Sequence, residues 1–440
     1  GLSGLTNLTD LRLDNNQISD VSGLSGLTNL TSLSLGDNQI SDVSGLSGLT
    51  DLGTLYLWGN QISDLAPLAA LIGLNFLDTS FNFITDLAPL AALTSLQTLD
   101  LEFNNISNLS PLSDLTNLKD LGLIHNRIVD LTALSNLSAL QTLKLNENEI
   151  KDLLPLAKLT NLVDLRIAYN QVVDISPIQD LLRLTTLRIS DNQVTDFSPV
   201  LSLSQLTTFF ADRNPASDLS VFKMIGLSKI GLDIRSDENL DLVQSLSGIT
   251  ELRVSTPDYE IADYSLFSKE GLTDVRCYSC FGNSMSDFIK SLSPILEFLA
   301  LDDDQPIDLS LIDSLSISGI GLNNPTIEDL SPLLTLPQLI TANIWASNVS
   351  DLSFLIGETG PSLYIYESPV LCSHVEEIRD QTTTYIFAPQ CLAADKDNDF
   401  DGIFDLEDAF PFDPDETIDT DGDGVGDNSD AFPDDAAESV

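Results

Sequence analysis

The sequence predicts an α/β solenoid, a superhelix with a parallel sheet on its concave face and short helical turns on its convex face. Three observations predict it. Asn16, Asn38, Asn60, Asn82, Asn104, Asn126, Asn148, Asn170, Asn192 and Asn214 recur every 22 residues. Each closes a run of the form L-x-x-L-x-L-x-x-N, as in Leu8-x-x-Leu11-x-Leu13-x-x-Asn16. An aspartate follows four residues after the asparagine, at Asp20, Asp42, Asp64, Asp86, Asp130, Asp152, Asp174, Asp196 and Asp218, with Asn108 standing in once.

Each element of the repeat has a physical reason. Leu11 and Leu13 alternate with Asp10, Arg12 and Asp14, so a short strand turns its leucines inward and its polar residues outward. One coil cannot bury its own leucines; stacked coils share a core and pair their strands into a parallel sheet. The asparagine stands where the chain leaves the strand, and a buried amide there can pair backbone groups that the turn orphans. The aspartate precedes segments such as Leu65-Ala-Pro-Leu68 and Leu109-Ser-Pro-Leu112. An acid before a turn with proline near its start reads as a cap rather than a cation ligand.

After Asn214 the period loosens. Leu232-x-Ile234, Val275-x-Cys277, Leu299-x-Leu301, Ile320-x-Leu322, Ile344 and Leu363-x-Ile365 keep the strand phase, with a loosened coil near Leu252 and Val254. Asp241, Asp308, Asp329 and Asp351 are the expected later caps. The expected organisation is a solenoid over 1–368, regular to about 220, a C-terminal cap over 369–394 and an acidic segment over 395–440. Cys372 and Cys391 bracket the cap, and a disulfide between them would close a loop of roughly 20 residues and add about 3 kcal/mol. Cys277 falls on an inward strand position and Cys280 in the asparagine column. Buried structural cysteine is the expectation there, with a local disulfide as the alternative.

Charge is distributed unevenly. Asp and Glu number 67 against 19 Lys and Arg, a formal net charge of −48. Such a surface repels phosphates and anionic lipid, so nucleic acid is not an expected partner. Membrane insertion is not expected of this stretch, whose apolar runs fall short of the roughly 18 residues a span needs. The chain starts at Gly1 within a repeat, so a fragment or processed form is expected. Residues 395–440 hold 18 acids and one lysine. Two twelve-residue windows there are spaced for Ca²⁺. The first sets Asp397, Asp399, Asp401, Asp405 and Asp408 at positions 1, 3, 5, 9 and 12, with Gly402 at position 6. The second repeats this with Asp419, Asp421, Asp423, Asp427, Asp430 and Gly424. A tight loop of that spacing wraps oxygens around calcium, and Ile403 and Val425 at position 7 would offer backbone carbonyls. Pro411, Pro414 and Pro433 bar the exiting helix of an EF-hand.

The recurring N-x-I-x-D-x-x-P-L run resembles the 22-residue leucine-rich repeats of bacterial internalins over residues 1–220, and more weakly to about 391. The resemblance implies a curved solenoid used for protein recognition at cell surfaces. Neither the helical N-terminal cap nor the immunoglobulin-like domain of that family has a counterpart in this sequence. The D-x-D-x-D-G-x-x-D runs resemble thrombospondin type 3 repeats, in which calcium holds a segment with little hydrophobic core.

Outward strand positions in the third and fourth repeats carry Tyr56, Trp58 and Phe76, the candidate contacts for a protein or glycan ligand on the concave face. Phe81, Phe103 and Tyr169 share the position before the asparagine, where packing between coils is expected. Lys144, Arg166 and Arg188 form a small basic row. The two histidines, His125 and His374, share no motif, and no nucleophile, metal-protease or phosphate-loop pattern is present, so no catalytic residue is expected. The expected function is recognition or adhesion outside the cell or on its surface, with the calcium segment as a stiff spacer. The alternatives are a non-catalytic targeting module of a larger secreted enzyme and a purely structural stalk.

Overall fold

In the computed structural model, the described residues run from 2 to 391, without 3, 217, 224–225, 257–260, 262–263, 279–284, 303–306, 314, 367, 380, 383 and 389–390. The whole acidic segment, with both calcium-spaced windows, lies outside the described residues, as does Cys280. The chain divides into two units, Gly1–Ser247 and Gly248–Val440.

Ten short strands in the first unit follow the 22-residue period. They are β1 (Asp10–Arg12), β2 (Ser32–Ser34), β3 (Thr54–Tyr56), β4 (Phe76–Asp78), β5 (Thr98–Asp100), β6 (Asp120–Gly122), β7 (Thr142–Lys144), β8 (Asp164–Arg166), β9 (Thr186–Arg188) and β10 (Thr208–Phe210). β11 (Lys229–Asp233) follows. Each is parallel to the next and in register, so residues 22 apart (21 between β10 and β11) stand side by side, as Leu55 does with Leu77.

Within a coil the apolar residues turn inward about every third position. Leu87, Leu90, Leu93, Leu96, Leu99, Leu101 and Ile106 are all buried to within 1%. A three-residue period suits the 3₁₀ turns that form the back of each coil, such as Ala88–Leu90, because such a turn repeats every three residues. The aspartates act one residue earlier than the formal cap. Asp64 Oδ1 accepts from the Ala66 N–H at 2.8 Å, and Asp174 from Ser176 at 2.8 Å.

The asparagines hold the coils together. Asn60 Nδ2 donates to the carbonyls of Leu57 at 3.0 Å and Trp58 at 3.2 Å in its own coil, and to Leu35 at 3.0 Å in the one before. Its Oδ1 accepts from the Ile40 N–H at 3.0 Å. The pattern continues to Asn214, which is 2% exposed and whose Oδ1 accepts from Val194. One side chain thus pairs four backbone groups that the turn would orphan. The preceding residue is left-handed, from Asn15 at φ 55° to Arg213 at φ 55°, and only Gly59 there is glycine.

Where the asparagine column ends, the strands lengthen to five residues and the backs acquire α-helix. α1 (Asp237–Ser245) is capped by Ser236, which accepts from the Asn239 N–H. Asp241, expected as a cap, lies inside this helix, which starts at Asp237 behind the Ser236 cap.

The second unit continues the pattern with β12 (Glu251–Ser255), β13 (Asp274–Tyr278), α2 (Met285–Ser291), β14 (Phe298–Asp302), β15 (Gly319–Asn323), β16 (Thr341–Trp345), β17 (Ser362–Tyr366), α3 (Cys372–Arg379) and β18 (Ile386–Phe387). These strands are also parallel and in register. The coil expected to be loose is a full strand, β12, with Leu252 and Val254 buried. Asp308, Asp329 and Asp351 cap as expected, accepting from the N–H groups of Ser310, Ser331 and Ser353. Cys372 and Cys391 are joined by a disulfide, their Cα atoms 4.9 Å apart, which ties α3 across the last buried layer. Cys277 is fully buried on β13 and is itself disulfide-bonded; a thiol was the expectation, the disulfide the alternative.

Candidate binding surface

Parallel register turns the outward face of the first unit into columns. The central column reads Tyr56, Asp78, Asp100, Gly122, Lys144, Arg166, Arg188 and Phe210, one residue per strand. Neighbours in it are set about 4.8 Å apart by strand pairing.

Two of the three aromatic candidates meet, and the third lies two residues along the strand direction from Tyr56. Tyr56 and Phe76 make ring contact, centroids 4.6 Å apart and planes tilted by 45°. Trp58 extends from the same coil over Gly36, where an added Cβ would lie 2.2 Å from the indole Nε1. Glycine at 36 therefore lets the indole lie flat on the second coil. All three rings are half-buried, held by neighbours yet open on the outer side.

Beside them stand acids. Burial raises the Asp78 carboxyl above its ordinary range against the hydrogen bonds from Ser80, and Asp100 adds to the rise. Burial likewise raises Glu102, opposed by the bond from Lys144. Lys144 Nζ meets Glu102 Oε1 at 2.7 Å, across an intervening coil. Gly122 permits this, because a Cβ there would sit 2.8 Å from both Asp100 Oδ1 and Glu102 Oε1. Arg166 pairs with Asp164 at 2.7 Å, and Arg188 lies 5.0 Å over the Phe210 ring. The basic row thus lies on the outward face with much of its charge met by local partners.

The left-handed column forms a separate edge. Phe81 stacks on Phe103 with centroids at 4.2 Å, and Phe103 on His125 at 4.9 Å. His125 Nδ1 is 2.9 Å from Glu147 Oε2. Packing between coils was expected for these rings, yet Phe81 is 52% exposed, so the stack is also surface. Tyr169 packs between coils too, against Arg213 two coils on, whose guanidinium lies 5.4 Å from its ring centroid and also binds Asp191.

The second unit holds an aromatic group that sequence reasoning missed. Trp345 stacks on Tyr366 with centroids at 5.5 Å and planes within 10°. Tyr364 and Tyr366 each lie 6.1 Å from Phe387. The alternation Asn343-x-Trp345 and Tyr364-x-Tyr366 was the available signal. The calcium candidates (Asp397 to Asp408 and Asp419 to Asp430) lie outside the described residues; among those described, no group of three or more His, Cys, Asp or Glu could hold a metal ion. Among them too, no helix is long and apolar enough to cross a membrane.

Comparison with known proteins agrees with this geometry. A sequence profile described as Leucine Rich repeats (2 copies) matches residues 6–48 and 94–136. No curated protein sequence matches the chain. Among solved structures, an internalin (inlF) of Listeria monocytogenes is 34% identical over 62% of this chain and 75% of that one, with a TM-score of 0.52. The functional domain of InlJ from the same organism, which includes a cysteine ladder, is 20% identical over 82% of this chain and 74% of its own, with a TM-score of 0.53. A leucine-rich-repeat protein of Leptospira interrogans is 19% identical over 88% of this chain and 97% of its own, at 0.53. The last two share the fold alone. With identity at that level to the first, over three quarters of its length and through the same repeat, the chain belongs to the internalin-like leucine-rich-repeat proteins.

Proposed function

We propose that this chain is a non-catalytic recognition protein that works outside the cell or on its surface, binding a protein ligand on the outward face of the first unit. The observation that carries the reading is the outward, half-buried pair of Tyr56 and Phe76 in ring contact, with Trp58 two residues beyond Tyr56 and seated on Gly36. Rigid aromatic anchors of this kind, beside charged neighbours, are what dominates protein interfaces. The central column adds polarity: acids at Asp78 and Asp100, then bases from Lys144 to Arg188, so a docked polypeptide is oriented by its own charges. The acidic segment serves as a spacer stiffened by calcium at Asp397, Asp399, Asp401, Asp405 and Asp408 and at the second, equivalent loop.

Binding of the labelled chain to a panel of intact cells, before and after protease treatment of the cells, tests the reading. Trp58→Ala should lower protease-sensitive binding at least about tenfold, as loss of a central anchor does. Equal binding by Trp58→Ala and the parent chain would return the structural-stalk reading.

A further inference from the structure

We infer that the outward face of the second unit carries a separate binding site for an uncharged oligosaccharide, centred on the open face of Trp345. Strand register sets Asn323, Trp345 and Tyr366 side by side, and Gly321, Asn343 and Tyr364 beside them in the next column. The parallel stack on Tyr366 covers one face of the indole. On the other side the neighbour is only an asparagine, and Trp345 is 38% exposed. Gly321 contributes no side chain, and where its Cβ would stand the Ala300 methyl and the edge of the Phe298 ring approach to 3.3 and 3.6 Å, so the floor next to the amides is apolar.

Two further observations select the ligand. The side-chain amides of Asn323 and Asn343 are half-buried and have no partner among the described residues, unlike the ladder asparagines, whose amides are saturated. Each offers donors and an acceptor to a ligand. None of these six positions carries a charge, in a chain of net charge −48 whose first-unit face carries acids and bases in its central column. The nearest charge in the same column is Asp302, beside Asn323 at the margin of the six, and the strand backbones beneath them are already paired on both sides, so an extended peptide finds no free sheet edge here. A pyranose fits both features. Its weakly positive C–H face lies against the negative face of an aromatic ring, and its hydroxyls both give to and take from amides. A mostly apolar surface with a few placed polar groups is the usual composition of such sites.

The chain has two tryptophans, Trp58 and Trp345, so full-length Trp58→Phe leaves Trp345 as the sole indole reporter. Its emission is followed during titration with cellohexaose and with chitohexaose, whose equatorial substituents leave C–H faces bare. A saturable change with Kd between about 10 μM and 1 mM is expected. Asn343→Ala, in the same background and with unchanged thermal unfolding, should weaken it at least about fivefold, and Tyr366→Ala should do likewise. No emission change with either sugar, or one indifferent to both substitutions, overturns the proposal. Concentration-dependent self-association that Trp345→Ala abolishes in sedimentation also overturns it, by making this face a contact between copies. Because Trp58 is absent throughout, failure here leaves the first-unit reading untouched.

Discussion

Lys144 Nζ stands 2.7 Å from Glu102 Oε1 although the two residues belong to coils two apart. The coil between them presents Gly122 at the crossing point, and a Cβ there would lie 2.8 Å from the Glu102 carboxylate. The ion pair therefore depends on an absent side chain. Both partners are largely shielded, with 31% and 14% of their side chains exposed. A double-mutant cycle with Lys144→Met and Glu102→Gln should give a coupling of about 1 kcal/mol in urea unfolding. Placing Gly122→Val in the parent chain should remove most of that coupling; a cycle unchanged by it contradicts this account.

The asparagine ladder predicts a graded cost. Asn148 pairs the carbonyls of Leu123, Leu145 and Asn146 and the N–H of Ile128. Asn148→Ala should destabilise the chain by about 3 kcal/mol, because those buried groups lose their partner without gaining water. Asn16 is exposed and bonds only Leu13 and Asp14, so Asn16→Ala should cost less than about 1 kcal/mol. Equal losses in denaturant titrations would contradict the ladder argument.

Gly36 predicts an optical effect. Gly36→Ala puts a methyl where the Trp58 indole lies and should push the ring into water. A red-shifted emission, measured in a Trp345→Phe background, is the expected result. The same substitution should weaken ligand binding on the proposed reading although it leaves Trp58 in place.

Acidity should first stabilise the fold. Burial holds the carboxyls of Asp78, Glu102, Asp191 and Asp233 above their ordinary values. The folded chain then takes up protons before the unfolded chain does, so stability rises as pH falls from neutral through those raised values. Below about pH 4, the ordinary carboxylate value, that gain is complete. The caps act in the opposite sense. Hydrogen bonds from Ser22, Thr132, Ser220 and Ser353 hold Asp20, Asp130, Asp218 and Asp351 below the ordinary value. Their contribution is present above that value and is lost as pH falls through the lowered ones. Calorimetry should therefore find the highest Tm in mildly acidic buffer, and Asp78→Asn should flatten the rise between neutral pH and that maximum.

Calcium is the prediction for the acidic segment. Full-length protein in chelator-treated buffer should take up about two calcium ions, one per twelve-residue window. Asp399→Ala and Asp421→Ala should each weaken one site. Calorimetric titration that shows no calcium heat returns the segment to an acidic linker.

The sequence by itself determined the repeat, the inward leucines, the asparagine column and the caps. These are properties of one coil multiplied by a period, and a period is visible in one dimension. It also placed Tyr56, Trp58 and Phe76 outward, since alternation along a strand is local. Legibility fell once the asparagines ended: Asp241 moved into α1, and the coil thought loose became β12, because no side-chain ladder marked the turn. What stands beside what was left to the tertiary structure. Trp58 lies on Gly36, Lys144 reaches Glu102 over Gly122, and Trp345 meets Tyr366 only once register aligns residues about 21 or 22 positions apart. Stacking turns a spacing along the chain into a contact of a few ångströms, and it is this contact between coils that shapes both proposed binding faces.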